Sequence, residues 1–173
     1  METLIPADII QARVREIADE IRRDHPNGVH LVGVLKGAYA FYADLARAIR
    51  IPMRVDFLMV TSDGSRAKSS GKVKMVTELT EDIKGKDVLL VEDIVDSGLT
   101  AQYLVKTLAK KKPRSIKVCT LLSKPDRRTI NVAIDYVGFK IPNKYVVGYG
   151  LDYQQKYRNL PYLAVLDIEG DQE

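Results

Sequence analysis

The chain has 173 residues, enough for one domain with a substantial core. Hydrophobic residues make up 46% and charged residues 29%, which fits a folded globular protein and excludes a disordered or fibrous one. The net charge of +4, with 23 acids spread among 27 basic residues, suits an anionic small molecule and argues against a nucleic-acid surface. The single cysteine, Cys119, lies in an apolar run, so no intrachain disulfide can form and a reducing, cytoplasmic setting is expected. No apolar run approaches the roughly 20 residues needed to span a membrane. The first residues carry acids and no signal-like apolar segment.

Residues 6–23 predict an amphipathic helix, with Ile9, Ile10, Val14, Ile17, Ala18 and Ile21 on one side and charges opposite. Pro6 suits its first turn, and Asn27-Gly28 marks the turn that follows. Residues 29–35 read as a buried strand. It runs into Lys36-Gly37 and a helix carrying Ala38, Phe41, Leu45 and Ile49, closed near Pro52. A Lys-Gly pair at a strand-to-helix turn offers a cation and free amides to an anion, and equally describes a solvated loop lysine. The spacing is not that of a Walker loop. Residues 54–60 predict the next strand. Residues 61–72 are small, polar and basic, the composition of either a floppy connector or a mobile lid. Residues 73–77 read as a returning strand and 82–87 as a turn.

Residues 88–91 form an uninterrupted apolar run, as expected of a central parallel strand covered on both faces. Glu92 and Asp93 are expected to stop that strand with two adjacent carboxylates. Asp96, Ser97, Gly98 and Thr100 then open a helix whose Ala101, Leu104, Val105 and Leu108 share a face. Such a helix start, with a glycine for close approach and hydroxyls beside it, is an anion site. Three carboxylates beside a phosphate cradle point to a ligand that also offers hydroxyls, a metal or a proton, and a ribose phosphate offers all of these. Capping alone requires one Asp or Ser.

Lys110-Lys111-Lys112-Pro113 ends that helix with positive charge at its C-terminus. Residues 116–122 predict another buried strand, followed by Lys124, which is either a ligand donor or an exposed loop lysine. The glycines and aromatics of 137–153 mark a tightly turning region, in which Tyr145 reads as a core aromatic on pattern alone. Residues 162–168 predict a last strand, and 169–173 a polar tail.

The segment Val-Glu-Asp-Ile-Val-Asp-Ser-Gly-Leu-Thr, residues 91–100, resembles the phosphoribosyl pyrophosphate signature of type I phosphoribosyltransferases, most closely the hypoxanthine-guanine branch. The Leu-Lys-Gly loop at 35–37 and the block 137–153 occur in that family's order, so the resemblance covers nearly the whole chain. It implies an α/β fold with a Rossmann-like, mostly parallel central sheet flanked by helices. A small hood (about 137–160, drawing on both termini) and a mobile lid (about 61–77) would complete one domain over 1–173. The implied activity is Mg²⁺-dependent purine salvage. Hypoxanthine or guanine and phosphoribosyl pyrophosphate would become IMP or GMP and pyrophosphate, through an oxocarbenium-like state, in a homodimer or homotetramer.

The same resemblance implies residue roles. Asp96, Ser97, Gly98, Leu99 and Thr100 cradle the 5′-phosphate. Glu92 and Asp93 hold the ribose hydroxyls, directly or through Mg²⁺, and Asp96 is the general base at purine N7. Lys36, Gly37 and Arg158 receive pyrophosphate, with a cis peptide bond before Lys36. Lys124 donates to the 6-oxo group, Tyr145 stacks on the base, Val146 offers backbone groups near C2, and Lys144 sits beside the base. Asp152 is a further metal residue. In the lid, the usual Ser-Tyr-Gly is Ser62-Asp63-Gly64 here, and Ala67 stands where a threonine is common. Ser62 is the expected lid contact, while Asp63 brings an unexpected negative charge toward pyrophosphate.

Overall fold

The apolar stripe of the first predicted helix becomes α1 (Ala7–Asp24), with Ile10, Val14, Ile17, Ala18 and Ile21 buried. A short strand that no pattern announces, β1 (Glu2–Ile5), precedes it. The chain continues through β2 (Val29–Leu35), α2 (Tyr39–Ile49), β3 (Met53–Ser62), β4 (Val73–Thr77), β5 (Asp87–Val95) and α3 (Leu99–Ala109). It closes with β6 (Ser115–Ser123), β7 (Tyr136–Lys140), β8 (Val146–Val147) and β9 (Leu163–Val165). This computed structural model describes residues 1–62 and 73–167. The readings placed on 63–72, including Asp63, Gly64 and Ala67, and on 168–173 lie outside the described residues, as does the side chain of Ser62.

The main sheet has the order β4-β3-β2-β5-β6-β7, parallel except for the antiparallel edge strand β4. From β2 the chain crosses by α2 to β3 on one side, then returns to place β5 on the other side of β2. That reversal of direction leaves a crevice beyond the carboxyl ends of β2 and β5, where open α/β sheets bind ligands. The α1/α2 face buries Phe41, Leu45, Leu31, Leu89, Val91 and Leu121, while the α3 face buries Val32, Val34, Leu58, Leu90 and Leu104. A strand buried on both sides can be apolar at every position, which explains 88–91. Cys119 is buried in the first of these clusters. Among the described residues no helix is long and apolar enough to cross a membrane.

Two readings need correction. The first carboxylates do not end the central strand: β5 runs on to Val95 because Glu92, Ile94 and Val95 stay paired with Thr120, Leu122 and Ser123 of β6. The block at 137–153 is not wholly a turning region, since residues 136–140 form β7 beside β6. The hood sheet is instead antiparallel, in the order β1-β9-β8, and joins the two ends of the described chain.

Candidate active site

The crevice opens where β2 leaves β5. Their pairing stops at Gly33↔Val91, whereas β5 keeps its ladder with β6 to Val95. Glu92 and Asp93 therefore lie on a rigid strand with one edge facing open space. A cavity of about 310 Å³ fills that space, lined by Val34, Leu35 and Gly37 on one side and by Glu92–Ser97, Gly98 and Thr100 on the other. The peptide bond between Leu35 and Lys36 is cis. A Cβ at Gly37 would overlap the Asp93 carboxylate, so the loop backbone lies directly against that acid.

Beyond Val95 the chain makes a polar turn into α3, with Gly98 left-handed at φ 92°. Ser97 Oγ accepts from the Leu99 amide at 3.3 Å, and the Ser97 carbonyl accepts from Thr129 and Ile130, each at 3.1 Å. The loop after β6 thus buttresses the turn. Arg128 adds to this, donating to the Asp96 carbonyl at 3.1 Å and to Ser123 Oγ at 2.9 Å. Arg127 Nε stands 3.2 Å from Asp96 Oδ1.

A second cavity of about 230 Å³ adjoins the first, and Asp93, Ile94 and Asp96 line both. Its other walls are Lys124, Tyr145, Val146, Leu151 and Asp152. Lys124 is buried, and its amide donates to the Val95 carbonyl at 3.0 Å. Burial lowers its pKa, while the nearby Asp96 carboxylate acts in the opposite sense. Tyr145 meets Tyr153 edge to face at 5.6 Å and donates to the Asp152 carbonyl at 3.1 Å. The Asp152 carboxylate accepts from the Gln155 amide at 2.7 Å and pairs with Arg158 at 3.1 Å.

Glu92 and Asp93 are both pushed toward their protonated forms. Burial, reinforced by the charge of Asp93, pushes the Glu92 carboxyl up to about 8, and its Oε1 has no hydrogen-bond partner. Asp93 is pushed up to about 6, mainly by burial, against the stabilising amide of Ile94.

Residues 5–154 match the family described as the phosphoribosyl transferase domain. The chain belongs to the phosphoribosyltransferase family. It is 50% identical over 171 residues to the hypoxanthine-guanine phosphoribosyltransferase of Mycobacterium tuberculosis, covering 95% of this chain and 85% of that one. It is 45% identical over 167 residues to the hypoxanthine phosphoribosyltransferase of Escherichia coli, covering 95% and 94%. A crystal structure of a hypoxanthine-guanine phosphoribosyltransferase from Bacillus anthracis superposes with a TM-score of 0.92 at 42% identity, covering 96% of this chain and 99% of that one. This phosphoribosyltransferase is thus a pentosyltransferase of the hypoxanthine-guanine branch, with the mostly parallel α/β fold of type I members.

Within the phosphoribosyltransferase, the structure brings Gly37, Glu92, Asp93, Asp96, Ser97, Gly98 and Thr100 around one cavity, with Leu99 at the start of α3 behind them. It places Lys124, Tyr145, Val146 and Asp152 around the adjoining one. Lys36 is exposed beside the first cavity, and Arg158 is turned toward Asp152 and the Gly150 carbonyl, 2.7 Å away. Lys144 is exposed and lines a separate space with Met1, Glu2 and Asn143. Arg127 and Arg128, which hold Asp96 and its turn, carried no assigned role in the sequence. Their only signal was a basic pair close behind Lys124.

Oxygen donors suit Mg²⁺. The orphaned Glu92 oxygen beside Asp93 fits a hard cation or ligand hydroxyls, and Asp152 lies across the second cavity. No group of three or more His, Cys, Asp or Glu among the described residues is poised to hold a metal, so a cation there would keep waters and substrate oxygens as ligands.

The acid pair predicts a pH effect. A carboxyl whose pKa is raised by folding stabilises the fold below its unfolded pKa and loses that contribution as pH rises toward the folded value. For Glu92 the window runs from its ordinary 4.5 to about 8. His25, whose pKa burial lowers, acts in the opposite sense, so the comparison is with Glu92→Gln. Calorimetry of the ligand-free protein should show the Tm advantage of wild type over Glu92→Gln shrinking from pH 5 to 8. A constant difference would remove the assignment.

Proposed function

We propose that the protein transfers the phosphoribosyl group of phosphoribosyl pyrophosphate to hypoxanthine or guanine, forming IMP or GMP and pyrophosphate. The observation that carries this reading is the pair of adjoining cavities, one bounded by the polar turn into α3 and the other walled by Lys124 and Tyr145, sharing Asp93, Ile94 and Asp96. A reaction at one sugar carbon needs donor and acceptor on either side of the same few atoms.

In this reading the Asp96–Thr100 turn takes the 5′-phosphate through its amides and the Ser97 and Thr100 hydroxyls. Glu92 and Asp93 take the ribose hydroxyls, whose polar hydrogens and oxygens satisfy buried carboxyls. Lys36, Gly37 and Arg158 receive pyrophosphate, where a planar guanidinium matches phosphate oxygens. Mg²⁺, bound near Asp152 and the Glu92–Asp93 pair, supplies charge neutralisation for the leaving pyrophosphate. Tyr145 covers the base, Val146 meets its C2 edge, and Lys124 donates to the 6-oxo group. Lys144 lies beside Tyr145 at the base end, and Ser62 contributes from the lid. Bond breaking at C1 proceeds through an oxocarbenium-like state, stabilised chiefly by fixed charges. Asp96 accepts the proton from purine N7. The protein works as a cytoplasmic homodimer or homotetramer, without nucleic acid or membrane.

Incubation with phosphoribosyl pyrophosphate, Mg²⁺ and each of hypoxanthine, guanine, xanthine and adenine tests the reading. Nucleotide should form from the 6-oxopurines and not from adenine, whose 6-amino group would face a cation. Product from adenine alone, or from none of the four, would overturn it. Lys124→Ala should raise the KM for hypoxanthine roughly 10–100-fold, the value of a hydrogen bond to a charged group, and change the donor KM far less. Equal changes in both would remove Lys124 from the base site.

A further inference from the structure

Tyr149 has no part in the roles assigned above, yet its surroundings are unusual. Its backbone is left-handed at φ 47°, between Gly148 at 96° and Gly150 at 102°. That conformation is disfavoured for a residue with a side chain and persists only where neighbours hold it. Here the ring is only 5% exposed, and its phenol donates to Asp44 Oδ2 on α2. Gln11 of α1 donates to the same carboxylate oxygen at 2.8 Å. The Tyr149 amide donates to the Leu160 carbonyl at 2.8 Å. Burial and the Asp44 carboxylate push the phenol pKa well up, so the group remains a donor.

The turn held in this way touches two groups at the pyrophosphate end. The Gly150 amide donates to the Arg158 carbonyl at 2.9 Å, and Arg158 Nη1 donates back to the Gly150 carbonyl at 2.7 Å. Tyr39, at the start of α2, donates to that Arg158 carbonyl at 3.2 Å. On its other side Gly150 lies against Gly37, where a Cβ would overlap the Gly37 carbonyl oxygen. One turn therefore backs the Lys36–Gly37 loop and orients Arg158.

We propose that the Tyr149–Asp44 hydrogen bond is a strut that fixes this turn, making Tyr149 and Asp44 positioning residues for the pyrophosphate end of the donor. The inference rests on the function proposed above and adds residues that touch no substrate. Gln11 steadies the carboxylate from α1. The base end is held by Lys124, directly after β6, and by Tyr145, beside β8; Leu151 and Asp152, next to the turn, also line that cavity, so the strut acts more on the donor than on the base.

Steady-state kinetics on the intact protein separate the two substrates. Tyr149→Phe should raise the KM for phosphoribosyl pyrophosphate, and for pyrophosphate in the reverse reaction, about tenfold, while the hypoxanthine KM stays within about twofold. Asp44→Leu should match it. Asp44→Asn, which keeps an acceptor, should recover most of the loss, and Tyr149→Phe combined with Asp44→Leu should be no worse than either alone. If Asp44→Leu does not fold, Tyr149→Phe, which removes one oxygen, carries the test. Base and donor KM values rising together, or an unchanged donor KM in Tyr149→Phe, would overturn the strut while leaving the function standing. A wild-type protein that makes no nucleotide would remove both.

Discussion

Asp96→Asn should lower kcat by roughly 10²–10⁴-fold, the usual contribution of a positioned general base. The substitution keeps shape and an oxygen for Arg127 to meet, so the turn into α3 should survive. What it removes is the ability to take a proton. Asp96 is the first residue past β5 and lines both cavities, where the purine edge would meet the sugar carbon. The 5′-phosphate cradle depends on Ser97, Gly98 and the first amides of α3, so donor binding should change little. Single-turnover measurements with saturating donor would isolate the chemical step. Turnover near that of wild type would remove Asp96 as the base, and a lost donor affinity would make its role structural.

Gly37→Ala should reduce kcat/KM for phosphoribosyl pyrophosphate roughly 10²-fold, the effect of misplacing a reacting group by about 1 Å. A Cβ at this position meets the Asp93 carboxylate, and the loop has no room to retreat because Gly150 lies against its carbonyl from behind. Either the loop or Asp93 must move, and both are assigned to the donor. Titration calorimetry with the donor, beside kinetics for hypoxanthine, would read the difference. An unchanged donor affinity would show that the Lys36–Gly37 loop does not hold pyrophosphate.

Much of this architecture was legible in the chain because it is local. Strand β2 carries the bounds read from its apolar run, and α1 follows its stripe within a residue at each end. The acids, hydroxyls and glycine of 92–100 lie in one short segment, so their cradle could be read without knowing the fold. The reading stopped β5 at Glu92 because burial and strand pairing were treated as one property. They separate there, since the ladder with β6 continues after β2 has turned away. Strand β1 has four residues and one buried side chain, and its partner is at the other end of the chain, which no local pattern reports. Arg127 and Arg128 resemble any solvated basic pair until the turn at Asp96 folds against them.

The pairing of Thr3 with Ala164 has a consequence for biosynthesis. As the ribosome extends the polypeptide, β1 leaves the exit tunnel ahead of the whole main sheet and must wait for a partner made after it. The parallel core can condense meanwhile, but the hood sheet is completed only once β9 has been made. Nascent chains that stall before β9 would therefore be partly folded and lack the hood sheet.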